Sequence, residues 1–173
     1  MFDLFFHDMD RSLREMGVTD LGVHVLDLAL WTLGFPRVID VTSRLYARGE
    51  RISGTPGNVA EDYAIALLDL DTGVTINLAC SWNLPAGRDA EIHATFYGTD
   101  GGASFRNVNG SFYDFTAELF RGTHRHMLAT TPDDWSGRAA VSWTKALARG
   151  TRYDPWVEGV ADVAAAADRI LRR

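Results

Sequence analysis

Tyr63-Ala64-Ile65-Ala66-Leu67-Leu68-Asp69-Leu70 and Val74-Thr75-Ile76-Asn77-Leu78-Ala79-Cys80-Ser81-Trp82 flank the short segment Asp71-Thr72-Gly73. Two strand-length apolar runs joined by a polar link, with glycine where φ must turn positive, predict a β-hairpin. Downstream, Glu91 to Tyr97 alternates in the same way, Gly98-Thr99-Asp100-Gly101-Gly102 turns, Ala103 to Val108 resumes as a strand, and a weaker strand follows from Tyr113 to Leu119. Links this short between successive strands require antiparallel pairing. Upstream, Val38 to Tyr46 reads as a further strand, followed by a polar loop containing Gly54, Pro56 and Gly57.

The period changes at both ends of this block. From Gly17 to Gly34, Val18, Leu21, Val25, Leu28 and Leu33 recur at helical spacing, with Leu26, Ala29 and Trp31 on neighbouring faces. That pattern predicts a mostly buried helix, stopped by Gly34-Phe35-Pro36. Ala139 to Ala148 and Trp156 to Leu171 read as two more helices, the second with Val157, Val160, Val163, Ala164 and Ile170 near one face. A block of strands with helices at its ends gives an α+β fold, not a doubly wound one. The 173 residues fit one domain spanning 1–173.

Composition narrows the function classes. A formal charge of −6 and the lack of a Lys/Arg run with interleaved aromatics give no attraction for a phosphate backbone, which argues against nucleic-acid binding. No apolar stretch is long enough to cross a bilayer, and the start, Met1 to Asp8, carries acids where a signal peptide needs basic residues. Cys80 is the single cysteine, set among apolar residues, and reads as a small core side chain. These features fit a protein of the reducing cytoplasm with no membrane partner.

The segment with chemical content is Asp20-Leu21-Gly22-Val23-His24-Val25-Leu26-Asp27. Asp20 and His24 are four apart and His24 and Asp27 three apart, so a helix projects all three from one side. Burying such a row costs free energy unless the groups are paired or face a cleft. One reading is catalytic: the carboxylate fixes the ring's tautomer, the imidazole exchanges a proton near neutral pH, and Gly22 leaves room for a ligand at the backbone. A second is a core histidine bonded to its own i−4 carboxylate. A third is a metal site, against which stands the difficulty of converging three ligands from one helix on one ion. His124 and His126, two apart, would share a face only if extended and, beside Arg121 and Arg125, read better as solvated polar residues. Trp82, Asn83 and Arg88 follow a strand end and read mainly as surface packing.

The run from Gly17 to Gly34, with its D-x-G-x-H-x-x-D pattern, resembles the motif of the glucose-fructose oxidoreductase, inositol dehydrogenase and MocA family. Glu61-Asp62-Tyr63-Ala64 leading to Ser81-Trp82, Phe96-Tyr97-Gly98-Thr99-Asp100-Gly101-Gly102, and Glu158-Gly159-Val160-Ala161-Asp162-Val163 resemble the same family in the same order. The resemblance implies a large open, mainly antiparallel sheet with helices on one face. It implies an NAD- or NADP-dependent oxidoreductase acting on a secondary alcohol of a sugar or polyol, with His24 as general acid/base, Asp20 orienting it, and Asp27 structural. It also implies a homodimer or higher oligomer formed through the sheet.

Three departures qualify this. No Gly-x-Gly occurs anywhere, so the dinucleotide fingerprint is absent and no cofactor is expected to bind this chain alone. The family's Glu-Lys-Pro motif is absent, and Leu13-Arg14-Glu15-Met16 stands where the family carries glycines. The chain is therefore expected to be the substrate-binding and oligomerisation domain of such an enzyme, inactive alone, starting after the family's first sheet strand and leaving a sheet edge uncovered. The alternative is a non-catalytic binding or assembly module derived from that family.

Overall fold

A computed structural model describes residues 2–6, 16–53 and 59–172. The loop expected at Gly54, Pro56 and Gly57 and the Leu13-Arg14-Glu15 stretch lie outside the described residues. In chain order the elements are β1 (Phe2–Phe6), a π-helical turn (Gly17–Gly22) running into α1 (Val23–Thr32), β2 (Val38–Ala47), β3 (Glu50–Arg51), β4 (Tyr63–Leu70), β5 (Thr75–Ser81), β6 (Ala90–Tyr97), β7 (Gly102–Asn107), β8 (Phe115–Arg121), β9 (His124–Ala129), α2 (Arg138–Ala148), a 3₁₀ turn (Pro155–Glu158) and α3 (Gly159–Leu171). The strands form one sheet in the order β3-β2-β4-β5-β1-β6-β7-β8-β9, antiparallel except where β1 runs parallel to β5. This is the α+β architecture expected.

The expected hairpin is β4–β5, with Gly73 at φ +82° in its turn. Along β4 burial alternates strictly: Ala64, Ala66, Leu68 and Leu70 are buried while Ile65, Leu67 and Asp69 are exposed. Ile76, Leu78 and Cys80 of β5 continue the buried side, and Val25, Leu26, Ala29 and Leu30 of α1 close over it with Val163, Ala166, Ala167 and Ile170 of α3. Burying an aliphatic side chain of this size contributes roughly 1.5–3 kcal/mol, so this cluster is what fixes α1 to the sheet. Polar ties reinforce it: Ser43 Oγ donates to the Ile170 carbonyl at 2.6 Å, and the Arg172 guanidinium donates to the Ser43 carbonyl at 2.7 Å.

Glycines in the resembling stretches have steric reasons. A Cβ at Gly159 would lie 2.5 Å from the Phe35 ring, which also meets Trp156 edge-on at 5.6 Å. A Cβ at Gly102 would lie 2.6 Å from the Phe96 carbonyl oxygen, and one at Gly101 2.6 Å from that of Phe120. The turn between β6 and β7 closes only if both lack side chains.

Four expectations need correction. Residues 2–6, noted in the sequence only as part of an acid-bearing start unlike a signal peptide, form a strand in the middle of the sheet, so the N-terminal part leaves no edge there. The helix beginning at Gly17 is buried on one side only, and its first turn is π-wound, the Val23 N–H reaching back to the Val18 carbonyl. A strand was not expected at 124–129, and it is the sheet's last strand. α2 has no buried residue, so of the expected helices only α1 and α3 carry core side chains against the sheet.

Candidate functional site

Asp20 and His24 owe their placement to the end of the sheet where β4 begins and β5 ends. There the Gly17 N–H donates to the Glu61 carbonyl at 3.2 Å and the Val18 N–H to Glu61 Oε1 at 2.9 Å. A carboxylate at a helix start satisfies an orphan donor and meets the positive end of the helix dipole, and Glu61 does so while only 4% exposed. Next along the chain, the Asp62 carbonyl accepts from the Trp82 N–H at 3.1 Å and from Ser81 Oγ at 3.0 Å, which locks the helix start to β5. Glu61 and Asp62 were visible in the sequence only as part of a resembling stretch. Glu61's capping role needed the fold, because forty-three residues separate it from its partner.

On this anchored turn Asp20, His24, Asp27 and Trp31 follow one another at i, i+4, i+7 and i+11, and all four are exposed. The opposite side carries the core residues Val25, Leu26, Ala29 and Leu30. The row therefore incurs no burial cost, and the core-histidine reading is overturned because His24 stands in solvent. Asp20 and His24 lie on one face, yet neither side chain bonds to the other or to another described residue. Among the described residues no three His, Cys, Asp or Glu side chains form a metal-holding group, and the Asp20, His24 and Asp27 row is no exception.

Gly22 has a different role from the one expected. It is buried, and a Cβ there would sit 3.0 Å from Cys80 Sγ. Its missing side chain lets the helix approach β5, not a ligand approach the helix. Cys80 is buried as expected. Trp82 is 5% exposed and belongs to the core, not the surface, while Arg88 pairs with Glu91 at 3.1 Å. His124 and His126 are exposed on β9, as the sequence indicated. No described helix is long and apolar enough to cross a membrane.

An open, mainly antiparallel sheet with core helices on one face and a carboxylate–imidazole row at one end has the form of the C-terminal domain of a dehydrogenase. The family model for the GFO/IDH/MocA C-terminal domain matches residues 5–104, and the chain belongs to that family. Among solved structures it is similar to the UDP-N-acetylglucosamine 3-dehydrogenase GnnA from Acidithiobacillus ferrooxidans, at 22% identity and a TM-score of 0.72, covering 99% of this chain and 51% of that one. It is also similar to the aldose-aldose oxidoreductase from Caulobacter crescentus, at 16% identity and a TM-score of 0.71, covering 99% and 52%. A third is the 3-ketoreductase KijD10 from Actinomadura kijaniata, solved with TDP-benzene and NADP, at 18% identity and a TM-score of 0.66, covering 98% and 50%. The chain thus spans about half the length of these structures. The comparison with curated proteins gives no match.

Proposed function

We propose that this chain is the substrate-binding and subunit-contact half of an NAD(P)-dependent oxidoreductase that interconverts a secondary alcohol and a ketone on a sugar or polyol. The observation that carries the reading is the outward row of Asp20 and His24 on a helix whose other side is fixed in the core. Core packing of α1 gives the pair the rigid backbone support that a proton-transfer site requires. The solved relatives, a UDP-N-acetylglucosamine 3-dehydrogenase and an aldose-aldose oxidoreductase, support the substrate class.

In this reading His24 takes the hydroxyl proton during oxidation and returns it during reduction, so that no free alkoxide builds up. Such assistance contributes typically ~10²- to 10⁴-fold in rate. Asp20 sits one turn before His24 and stabilises the imidazolium formed when the proton is held. Glu61 keeps the turn carrying Asp20 in place. A bound nicotinamide supplies the hydride acceptor or donor. The residues here fit the proton side of that chemistry and not the dinucleotide itself, since no glycine-rich phosphate loop is present in the sequence.

The side of the sheet away from α1 exposes Ile65 and Leu67 on β4, and exposed apolar area of this kind favours self-association. We read it as the contact between copies. Light scattering on the purified chain should give a dimer or larger, and a monomer throughout the micromolar range would remove this part of the reading.

The function is tested by titrating the chain with NADH and NADPH by fluorescence, then assaying it joined to a dinucleotide-binding domain. Expected are no saturable binding to the chain alone and sugar-dependent cofactor reduction by the joined enzyme. Micromolar binding to the chain alone, or a joined enzyme that binds cofactor yet oxidises no sugar or polyol, would overturn it.

A further inference from the structure

The end of the sheet that holds the Asp20–His24 row carries a concavity at the connection between β7 and β8. β5 ends at Ser81 and β6, separated from it by β1, starts at Ala90 at the same end of the sheet, where β7 also ends and β8 begins. The connection, residues 108–114, is tied down at several points. Asn107, 6% exposed, donates through Nδ2 to the carbonyls of Ala90 and Ser111 and accepts from the Ile92 N–H at 3.0 Å. Ser111 Oγ donates to Asp114 Oδ2 at 2.9 Å and accepts from the N–H groups of Tyr113 and Asp114. The Trp135 indole N–H donates to the Tyr113 carbonyl at 2.7 Å. Gly110, at φ +81°, lets the connection lie against β6's start, where a Cβ would come within 3.1 Å of the Asp89 nitrogen.

Beside this braced connection lies a largely open hollow of about 480 Å³. Its walls offer the carboxylates of Asp89 and Asp114, the hydroxyls of Ser111 and Thr131, and the rings of Phe112 and Tyr113; no Lys, Arg or His is among the described lining residues. Tyr113 is 72% exposed although its own backbone is bonded on both sides, so an aromatic ring is held out into solvent by a fixed loop. A phosphate would meet two carboxylates with no cation to offset them. An uncharged polyhydroxylated ring suits every group present: its hydroxyls donate to carboxylates, which only accept, and its C–H face covers an aromatic ring.

Strand spacing sets the reach. In the plane of the sheet, β7 and β8 lie three to four strand spacings, ~14–19 Å, from β5, the strand against which the row's helix packs with its opposite side. One sugar ring does not occupy both places. We propose that this cavity is a distal carbohydrate subsite, which takes an uncharged ring at the far end of an oligosaccharide or glycoside and disfavours phosphate-bearing ligands. That the ring belongs to the substrate rests on the proposed oxidoreductase reading; that the cavity binds it does not.

The test is an amide-resolved NMR titration of the full chain with maltose, cellobiose and N-acetylglucosamine, and in parallel with inorganic phosphate and UDP. Expected are saturable shifts in residues 108–114 with at least one of the sugars and none with phosphate. Tyr113→Ala should weaken that binding about tenfold, Tyr113→Phe should retain it, and His24→Asn should leave it unchanged. No saturable shift with any of the three sugars, larger shifts with UDP or phosphate, or full binding by Tyr113→Ala would overturn the subsite. Those failures leave the oxidoreductase reading standing, because its own test reads turnover.

Discussion

The sheet has two halves of different character. From β2 to β5, beneath α1 and α3, every second residue of β4 is buried and Leu68, Ile76, Leu78 and Leu26 are at most 1% exposed. From β8 through α2, β8 residues are at best half-buried, every residue of β9 is exposed, and Val141, Trp143 and Leu147 of α2 stand 44–65% open. Both halves are regular and hydrogen-bonded. Regular backbone therefore tells little about which part is tightly held; the difference lies in apolar burial, and the Asp20–His24 row is mounted on the buried half.

Substitutions in the two halves test this difference. The largest effect belongs to the core of the packed half: Leu68→Ala should cost about 2–5 kcal/mol by urea denaturation, while Leu128→Ala on β9 should stay within about 0.5 kcal/mol. Comparable losses at the two would erase the distinction. Gly159→Ala should cost about 1–3 kcal/mol, since the added carbon meets the Phe35 ring, and Phe35→Ala in the same chain should recover part of that loss. Glu61→Ala removes the acceptor for the Val18 N–H and should cost about 1–3 kcal/mol; Glu61→Gln, which keeps an oxygen there, should cost less. Hydrogen exchange offers the smallest perturbation: amides of 63–81 should outlast those of 115–129, and equal protection would contradict the contrast.

Most of the packed half was legible in the sequence because its signals are local. The alternation of Tyr63 to Leu70, the turn at Gly73 and the stop at Gly34 each specify structure within a few residues. β1 was not legible, since five residues without a neighbouring turn carry no period of their own and acquire a place only by pairing with β5 and β6. β9 was missed for a related reason: His124-Arg125-His126 has no buried side to alternate with. At the site, spacing put Asp20 and His24 on one face, but it could not say whether that face is inside or outside. That depends on α1 turning Val25 and Leu26 toward the sheet. Gly22 was misread because its partner, Cys80, is distant in sequence and close only in the fold.

In the proposed function an exposed His24 on a rigid helix carries chemistry and not stability. The most direct measurement compares turnover and urea stability of His24→Asn with the parent residue, in the chain joined to a dinucleotide-binding domain. Expected is a loss in turnover of ~10²-fold or more with stability changed by less than about 0.5 kcal/mol. Turnover that survives the substitution, or falls only in step with stability, would contradict it.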